Sequence, residues 1–197
     1  MPKVLISDSI DIIAEKILNQ NNIEYDVLTD LTPDQLKLNI VKYDGLIVRS
    51  STKVNKEIIE AGTNLKIIGR AGAGVDNIDL VTSKKKNIIV MNTPGGNTNA
   101  TAEHTMSLLF SLSRFIPEAN LSTHQGLWEK KKFKGIEIRN KQIGIIGFGN
   151  VGKRFAEMCF FLGLQVNIYS NYFESIKNEY KNYQNLNFED IIKNSDI

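Results

Sequence analysis

Gln142-Ile143-Gly144-Ile145-Ile146-Gly147-Phe148-Gly149-Asn150-Val151-Gly152 decides the fold of this chain. Its first five residues are an apolar run that reads as a buried strand. Lys153-Arg154-Phe155-Ala156-Glu157-Met158-Cys159-Phe160-Phe161-Leu162 reads as a helix closed by Gly163. G-x-G-x-x-G between a strand and a helix is the context in which the motif points to dinucleotide binding. Gly147 permits the tight turn, Gly149 lacks the Cβ that would hold a pyrophosphate off the backbone, and Gly152 lets helix and strand approach closely. The helix N-terminus adds unpaired N–H groups and partial positive charge for the phosphates. A glycine turn without a ligand is the competing explanation, and the flanking strand and helix weigh against it.

Downstream, Leu164-Gln165-Val166-Asn167-Ile168-Tyr169 reads as a second strand, and Phe188-Glu189-Asp190-Ile191-Ile192-Lys193-Asn194 as a short helix after a polar stretch. A dinucleotide fold needs two βαβαβ halves. Only part of one follows Gly152, so we expect this chain to be the N-terminal part of a longer protein, with a further strand due at Ser195-Asp196-Ile197.

Upstream, strands and helices alternate over residues 1–95. Lys3–Ser7, Tyr25–Leu28, Gly45–Val48, Leu65–Ile68 and Ile88–Met91 read as strands. Ser9 is expected to cap a helix with Ile10, Ile13, Ile17 and Leu18 on its apolar face. Thr32-Pro33-Asp34-Gln35 carries a capping-box pattern with proline in the first turn. Such alternation implies α/β class, with a parallel sheet and helices on both faces. Ligands then bind at the carboxyl ends of the strands, where Arg49, the Gly72–Gly74 loop and the Asn92–Asn97 turn fall. Thr98 to Ala119 reads as one long helix, with Ala102, Met106, Leu109, Phe110, Leu112 and Ser113 on its apolar or small face.

Composition narrows the function classes. Of 197 residues, 42% are hydrophobic and 23% charged, an ordinary globular balance, and the formal charge of +2 argues for neither nucleic acid nor an acidic partner. Lys84–Lys86 and Lys130–Lys132 read as solvated faces or helix ends. Cys159 cannot pair within the chain and reads as a packing residue. No apolar run reaches bilayer length and no leader peptide is recognisable, so a cytoplasmic protein without a membrane partner is expected. No Cys/His spacing suits a metal.

Three features bear on chemistry. Arg49, followed by Ser50-Ser51-Thr52, suits a carboxylate or phosphate, because a planar guanidinium bonds two oxygens at once; an ordinary surface arginine remains open. The backbone amides of Gly72-Ala73-Gly74 could form an anion nest, or simply a tight turn into a helix capped by Asp79. His104 and His124 are the only histidines, the first within an apolar helix and the second expected in a polar loop, and neither is assigned acid–base work.

Val48-Arg49-Ser50-Ser51-Thr52, Gly69-Arg70-Ala71-Gly72-Ala73-Gly74-Val75-Asp76-Asn77-Ile78-Asp79, Met91-Asn92-Thr93-Pro94-Gly95-Gly96-Asn97-Thr98 and Ala102-Glu103-His104-Thr105 occur in that order before the glycine motif. This order resembles the D-isomer-specific 2-hydroxyacid dehydrogenases. Trp128 to Gly135 looks most like the D-3-phosphoglycerate dehydrogenase branch. The resemblance implies a flavodoxin-like substrate domain over 1–95, incomplete without a C-terminal return segment. It implies a partial Rossmann domain over 96–197, entered through the helix 98–119. It further implies oxidation of D-3-phosphoglycerate to 3-phosphohydroxypyruvate with NAD in L-serine biosynthesis, and a homo-oligomer at full length. Arg49, Ser50, Ala73, Gly74 and Asn97 would match substrate contacts. Ala73, Gly147, Gly149, Asn150, Val151, Gly152 and Ser170 would match cofactor contacts. The family's catalytic arginine, glutamate and histidine lie in later segments, so this chain alone is expected to be inactive. Ser170 stands where the family usually has a ribose-binding aspartate, which leaves NADP open beside NAD. Another 2-hydroxy acid, such as glyoxylate, hydroxypyruvate or lactate, and a non-catalytic NAD-sensing module are the alternatives.

Overall fold

Short β-branched runs separated by helices form strands β1 (Lys3–Ile6), β2 (Glu24–Val27), β3 (Gly45–Val48), β4 (Ile67–Arg70) and β5 (Ile89–Asn92). Between them lie helices α1 (Ile13–Gln20), α2 (Pro33–Asn39), α3 (Lys56–Ala61) and α4 (Leu80–Lys85). The computed structural model describes residues 1–197 and separates into two compact units, Met1–Gly96 and Asn97–Ile197. In the first unit the strand order is β2-β1-β3-β4-β5 and every pair is parallel. This is the flavodoxin-like order expected of such a sheet.

Register explains the core. Leu5 lies beside Leu46, Leu46 beside Ile68 and Ile68 beside Val90, so one row crosses four strands on one face. Leu36, Ile40, Ile58, Ile59 and Ile88 pack into the same cluster. Each such fully buried aliphatic side chain contributes about 1.5–3 kcal/mol. On the opposite face the rows are Val4-Gly45-Ile67-Ile89 and Ile6-Ile47-Gly69-Met91. Ile89 and Met91 there stay 60% and 52% exposed. A groove of about 440 Å³, lined by Val4, Ile47, Ile67, Met91 and Leu18 of α1 among others, runs along this face. Helices thus lie on both faces, as expected: α2 and α3 cover one, and α1 shields part of the other.

Helix starts follow side-chain chemistry. The Gln35 N–H donates to Thr32 Oγ1 at 3.3 Å and the Thr32 N–H to Gln35 Oε1 at 3.0 Å, completing the capping box. Asp79 caps α4, and bonds from the Thr82 hydroxyl, then the Thr82 N–H, hold its carboxyl below the usual range. Ser9 does not cap α1. That helix begins at Ile13, whose N–H donates to Asp11 Oδ1 at 2.9 Å, and Asp11 therefore takes the local capping role. Of the face expected for α1, only Leu18 is buried. Strand β4 also runs two residues later than expected. The Leu65 N–H closes a turn onto the Gly62 carbonyl, while Gly69 and Arg70 pair with Ile47 and Val48.

The second unit contains α5 (Thr98–Arg114), α6 (Ile116–His124), β6 (Gln142–Ile146), α7 (Asn150–Phe161), β7 (Gln165–Tyr169), α8 (Phe173–Ile176), β8 (Gln184–Asn185) and α9 (Phe188–Asn194). Its strands pair in parallel in the order β6-β7-β8. The single helix expected over 98–119 is two helices, broken at Phe115 with φ 53°. Pro117 has no N–H to give the Ser113 carbonyl, and the Ile136 N–H takes that acceptor at 2.9 Å instead. Ala102, Met106, Leu109 and Ser113 are buried as expected, but Leu112 is 77% exposed. The polar stretch holds a strand that its composition conceals. β8 is two residues long, continued by the Leu186 N–H donating to the Ile168 carbonyl at 2.8 Å. Asp196 and Ile197 lie along the other edge of β6: the Asp196 N–H donates to the Gln142 carbonyl, and the Gly144 N–H to that of Ile197.

Thr32→Ala is expected to lower stability by about 1 kcal/mol, read as a lower urea midpoint with an unchanged m value. An unchanged midpoint would show that the box contributes nothing.

Candidate functional site

Two sheet edges collect the residues singled out above. In the second unit, β6 ends at Ile146 and the chain turns through Gly147-Phe148-Gly149 into α7. Gly147 has φ 98°, a region disfavoured for any residue with a Cβ. Its N–H donates to the Tyr169 carbonyl at 2.9 Å, which ties the turn to the end of β7 and places Ser170 at the same edge. A Cβ on Gly152 would overlap the Gly147 carbonyl oxygen, so helix and turn approach as closely as the motif demands. Gly149 differs. Its φ of −77° suits any residue, and a Cβ there would meet nothing within 4 Å. The fold itself does not require glycine at 149.

The first N–H groups of α7, on Asn150, Val151 and Gly152, have no acceptor within the helix, and they adjoin that open space. A twelve-residue helix focuses partial positive charge there. Below the turn, Phe148 is buried against Phe173, Tyr180 and Tyr183, with ring centroids 4.9–5.9 Å apart. The Lys153 ammonium lies 5.2 Å from the centre of the Tyr180 ring. At the end of β7 the Ser170 hydroxyl accepts from the Tyr172 N–H at 3.4 Å. Ser170 is followed by exposed Asn171 and Tyr172, neither of them a cation.

In the first unit, Arg49 and Ser50 follow β3, and Ala73 and Gly74 follow β4, its neighbour in the sheet. All four are exposed at the carboxyl edge. The Arg49 guanidinium makes a single long bond, from Nη1 to the Ser9 carbonyl at 3.3 Å, which leaves most of its donors free. The N–H groups of Ser50, Ser51, Ala73 and Gly74 donate to no protein acceptor. Four free amides and a guanidinium at one edge can receive a carboxylate or a phosphate. Asn97, grouped with these residues by sequence, belongs to the second unit, where it opens α5 without a side-chain cap bond.

Residues that were not singled out hold these loops. Asp8, almost fully buried, accepts from the Arg49 N–H at 2.6 Å, the Thr52 N–H at 3.2 Å and the Thr52 hydroxyl at 2.7 Å. The Asn92 side chain donates to the Ala73 carbonyl at 2.8 Å. Arg70, its side chain only 11% exposed, pairs with Asp76 at 2.5 Å. Asp76's own backbone N–H and then this guanidinium hold its carboxyl below the usual range. A polar residue just past an apolar strand was the signal available for Asp8 and Asn92. His104 and His124 are exposed on helices α5 and α6. Cys159 is buried, and desolvation pushes its thiol up to about 12, which suits packing rather than nucleophilic work.

The chain is similar to known dehydrogenases in sequence and fold. The family model described as D-isomer specific 2-hydroxyacid dehydrogenase, catalytic domain, matches residues 4–189. D-3-phosphoglycerate dehydrogenase of Archaeoglobus fulgidus is 41% identical over 195 residues, covering 99% of this chain and 37% of that protein. The chain therefore spans about a third of the length of such curated relatives. Among solved structures, 3-phosphoglycerate dehydrogenase of Entamoeba histolytica, with NAD bound, is 29% identical with a TM-score of 0.75, covering 98% of this chain and 60% of that one. The NAD-dependent formate dehydrogenase of Staphylococcus aureus, in complex with NAD, is 25% identical with a TM-score of 0.85, covering 100% of this chain and 63% of that one.

The two glycines make opposite demands on stability. Gly152→Ala is expected to cost about 1–3 kcal/mol through overlap with the Gly147 carbonyl. Gly149→Ala should change stability by less than about 0.5 kcal/mol. Equal thermal midpoints for the two variants would contradict this geometry.

Proposed function

We propose, on the premise that the chain belongs to the D-isomer-specific 2-hydroxyacid dehydrogenase family, that the protein oxidises D-3-phosphoglycerate to 3-phosphohydroxypyruvate with NAD. Gly149 carries the proposal. It is a glycine that neither backbone angle nor neighbouring atoms require, placed where unpaired helix N–H groups converge. A cradle of that kind suits a pyrophosphate. Met1–Gly96 would be the substrate unit and Asn97–Ile197 the nucleotide unit.

Each group would have a distinct task. The amides following Gly149 hold the diphosphate, and the Ser170 hydroxyl bonds a ribose hydroxyl of the adenosine half. Bound NAD supplies the hydride acceptor. Arg49, Ser50 and the Ala73 and Gly74 amides fix the anionic groups of the substrate. Two charged groups on one small acid match a guanidinium beside free amides better than a neutral substrate would. Proton transfer is assigned to neither His104 nor His124, so the 197-residue chain should bind both ligands without turning over. The identity with D-3-phosphoglycerate dehydrogenases, at 41–44%, favours this acid over glyoxylate, hydroxypyruvate or lactate.

Calorimetric titration tests the cofactor assignment. NAD should bind the wild-type chain, and Gly149→Ala should weaken it about tenfold or more, some 1.4 kcal/mol, with the thermal midpoint unchanged. Failure of NAD to bind a folded chain would overturn the assignment. Ser170→Asp should raise the ratio of NAD to NADP affinity by about tenfold, because a carboxylate repels a 2′-phosphate and bonds a free ribose diol. An unchanged ratio would remove Ser170 from the ribose site.

A further inference from the structure

We propose that Asn77 is the positioning residue for the substrate anion, its side-chain amide fixing the loop that carries Arg49 and Ser50 to the loop that carries the Ala73 and Gly74 amides. The inference rests on the substrate site proposed above and adds the residue that sets its geometry.

The loop Arg49–Thr52 belongs to no strand, so its backbone groups need partners from elsewhere. They find them in an ordered way. The N–H groups of its two end residues donate to one carboxylate, that of Asp8. The carbonyls of the same two residues accept from one amide: Asn77 Nδ2 donates to the Arg49 carbonyl at 2.7 Å and to the Thr52 carbonyl at 2.6 Å. Both ends are therefore pinned, and only the tip N–H groups, on Ser50 and Ser51, remain free. Those are the donors an anion would meet.

Asn77 also anchors its own loop. Its backbone carbonyl accepts from the Val54 N–H at 2.8 Å, and the Asp79 N–H donates back to the Val54 carbonyl at 2.9 Å. The segment after β3 is thereby stitched to the segment after β4 just beyond the amide nest. Arg70 reinforces the join from below, its Nε donating to the Arg49 carbonyl at 3.4 Å while its Nη1 pairs with Asp76. The orientation of the Asn77 amide is settled by chemistry. Turned over, it would press Oδ1 against two carbonyl oxygens. As it stands, Oδ1 is buried and has no partner, so the only bonds this side chain makes are the two that hold the loop. Aspartate at 77 would set a carboxylate oxygen against both carbonyls. Alanine would remove both carbonyl bonds and leave the loop ends to Asp8 and Arg70 alone.

Hydrogen exchange and ligand titration on the 197-residue chain test this separately. In Asn77→Ala, the amides of Arg49 and Thr52, the two loop N–H groups that are bonded in the wild-type chain, should exchange at least tenfold faster, while those of β3 and β4 keep their protection. Titration with D-3-phosphoglycerate should show about tenfold weaker binding, with NAD affinity at the second unit unchanged. Asn77→Asp should be at least as impaired as Asn77→Ala, because it reverses the sign of the contact. Unchanged loop exchange, or faster exchange with undiminished D-3-phosphoglycerate binding, overturns the positioning role. Equal loss of protection across β3 and β4 does so too, by showing a merely structural part. Wild-type chain that binds no D-3-phosphoglycerate overturns the substrate assignment instead, and the exchange result still reports whether the clamp exists.

Discussion

Parallel strands cannot be joined by a tight turn; each must be followed by a crossover before the next can pair. That constraint organises both units. Every strand of the first sheet runs the same way, so every segment leaving a strand emerges at one edge, and the same holds for β6, β7 and β8. Residues distant in sequence, such as Asp8, Arg49 and Arg70, become neighbours because each follows or ends a strand. The strands are only two to five residues long, so few ladder bonds support each edge. Whatever the edge does chemically must be held by side chains.

The division of labour among those side chains follows from what each backbone group lacks. A carboxylate can only accept, so Asp8 serves the N–H groups of the loop after β3. A side-chain amide can donate twice, so Asn77 and Asn92 serve carbonyls. The arrangement has a cost. A buried oxygen without a partner, as at Asn77 Oδ1, is unfavourable by about 1–3 kcal/mol.

The fold was legible where physics is local. Short runs rich in apolar and β-branched residues between turn and helix signals located seven of the eight strands. Capping residues located the starts of α2 and α4, because the bonds they make span three residues. β8 was hidden because Gln184-Asn185 is polar, and its pairing comes from the edge of β7 rather than from its own composition. The break at Phe115 had a local signal in Pro117, which cannot donate to the Ser113 carbonyl, and only the replacement donor, Ile136, is distant in sequence. The site divided along the same line. Arg49, Ser50, Gly147 and Gly152 could be found from strand ends and spacing, whereas Asn77 looked like any polar loop residue until the Arg49 and Thr52 carbonyls were seen against it.

The glycine motif shows why position and environment must be weighed together. Three glycines in one hexapeptide are glycine for three reasons: Gly147 for its backbone angle, Gly152 for a contact that no Cβ could share, and Gly149 for neither. The first two would be needed in a strand–turn–helix of this shape that bound nothing. Only the third is unexplained by folding. A residue whose smallness serves no internal contact, beside amides that serve no internal bond, is what supports the proposed diphosphate cradle. The same logic reaches the first unit, where Ser50, Ser51, Ala73 and Gly74 hold out unbonded N–H groups from loops that are otherwise fully tied down.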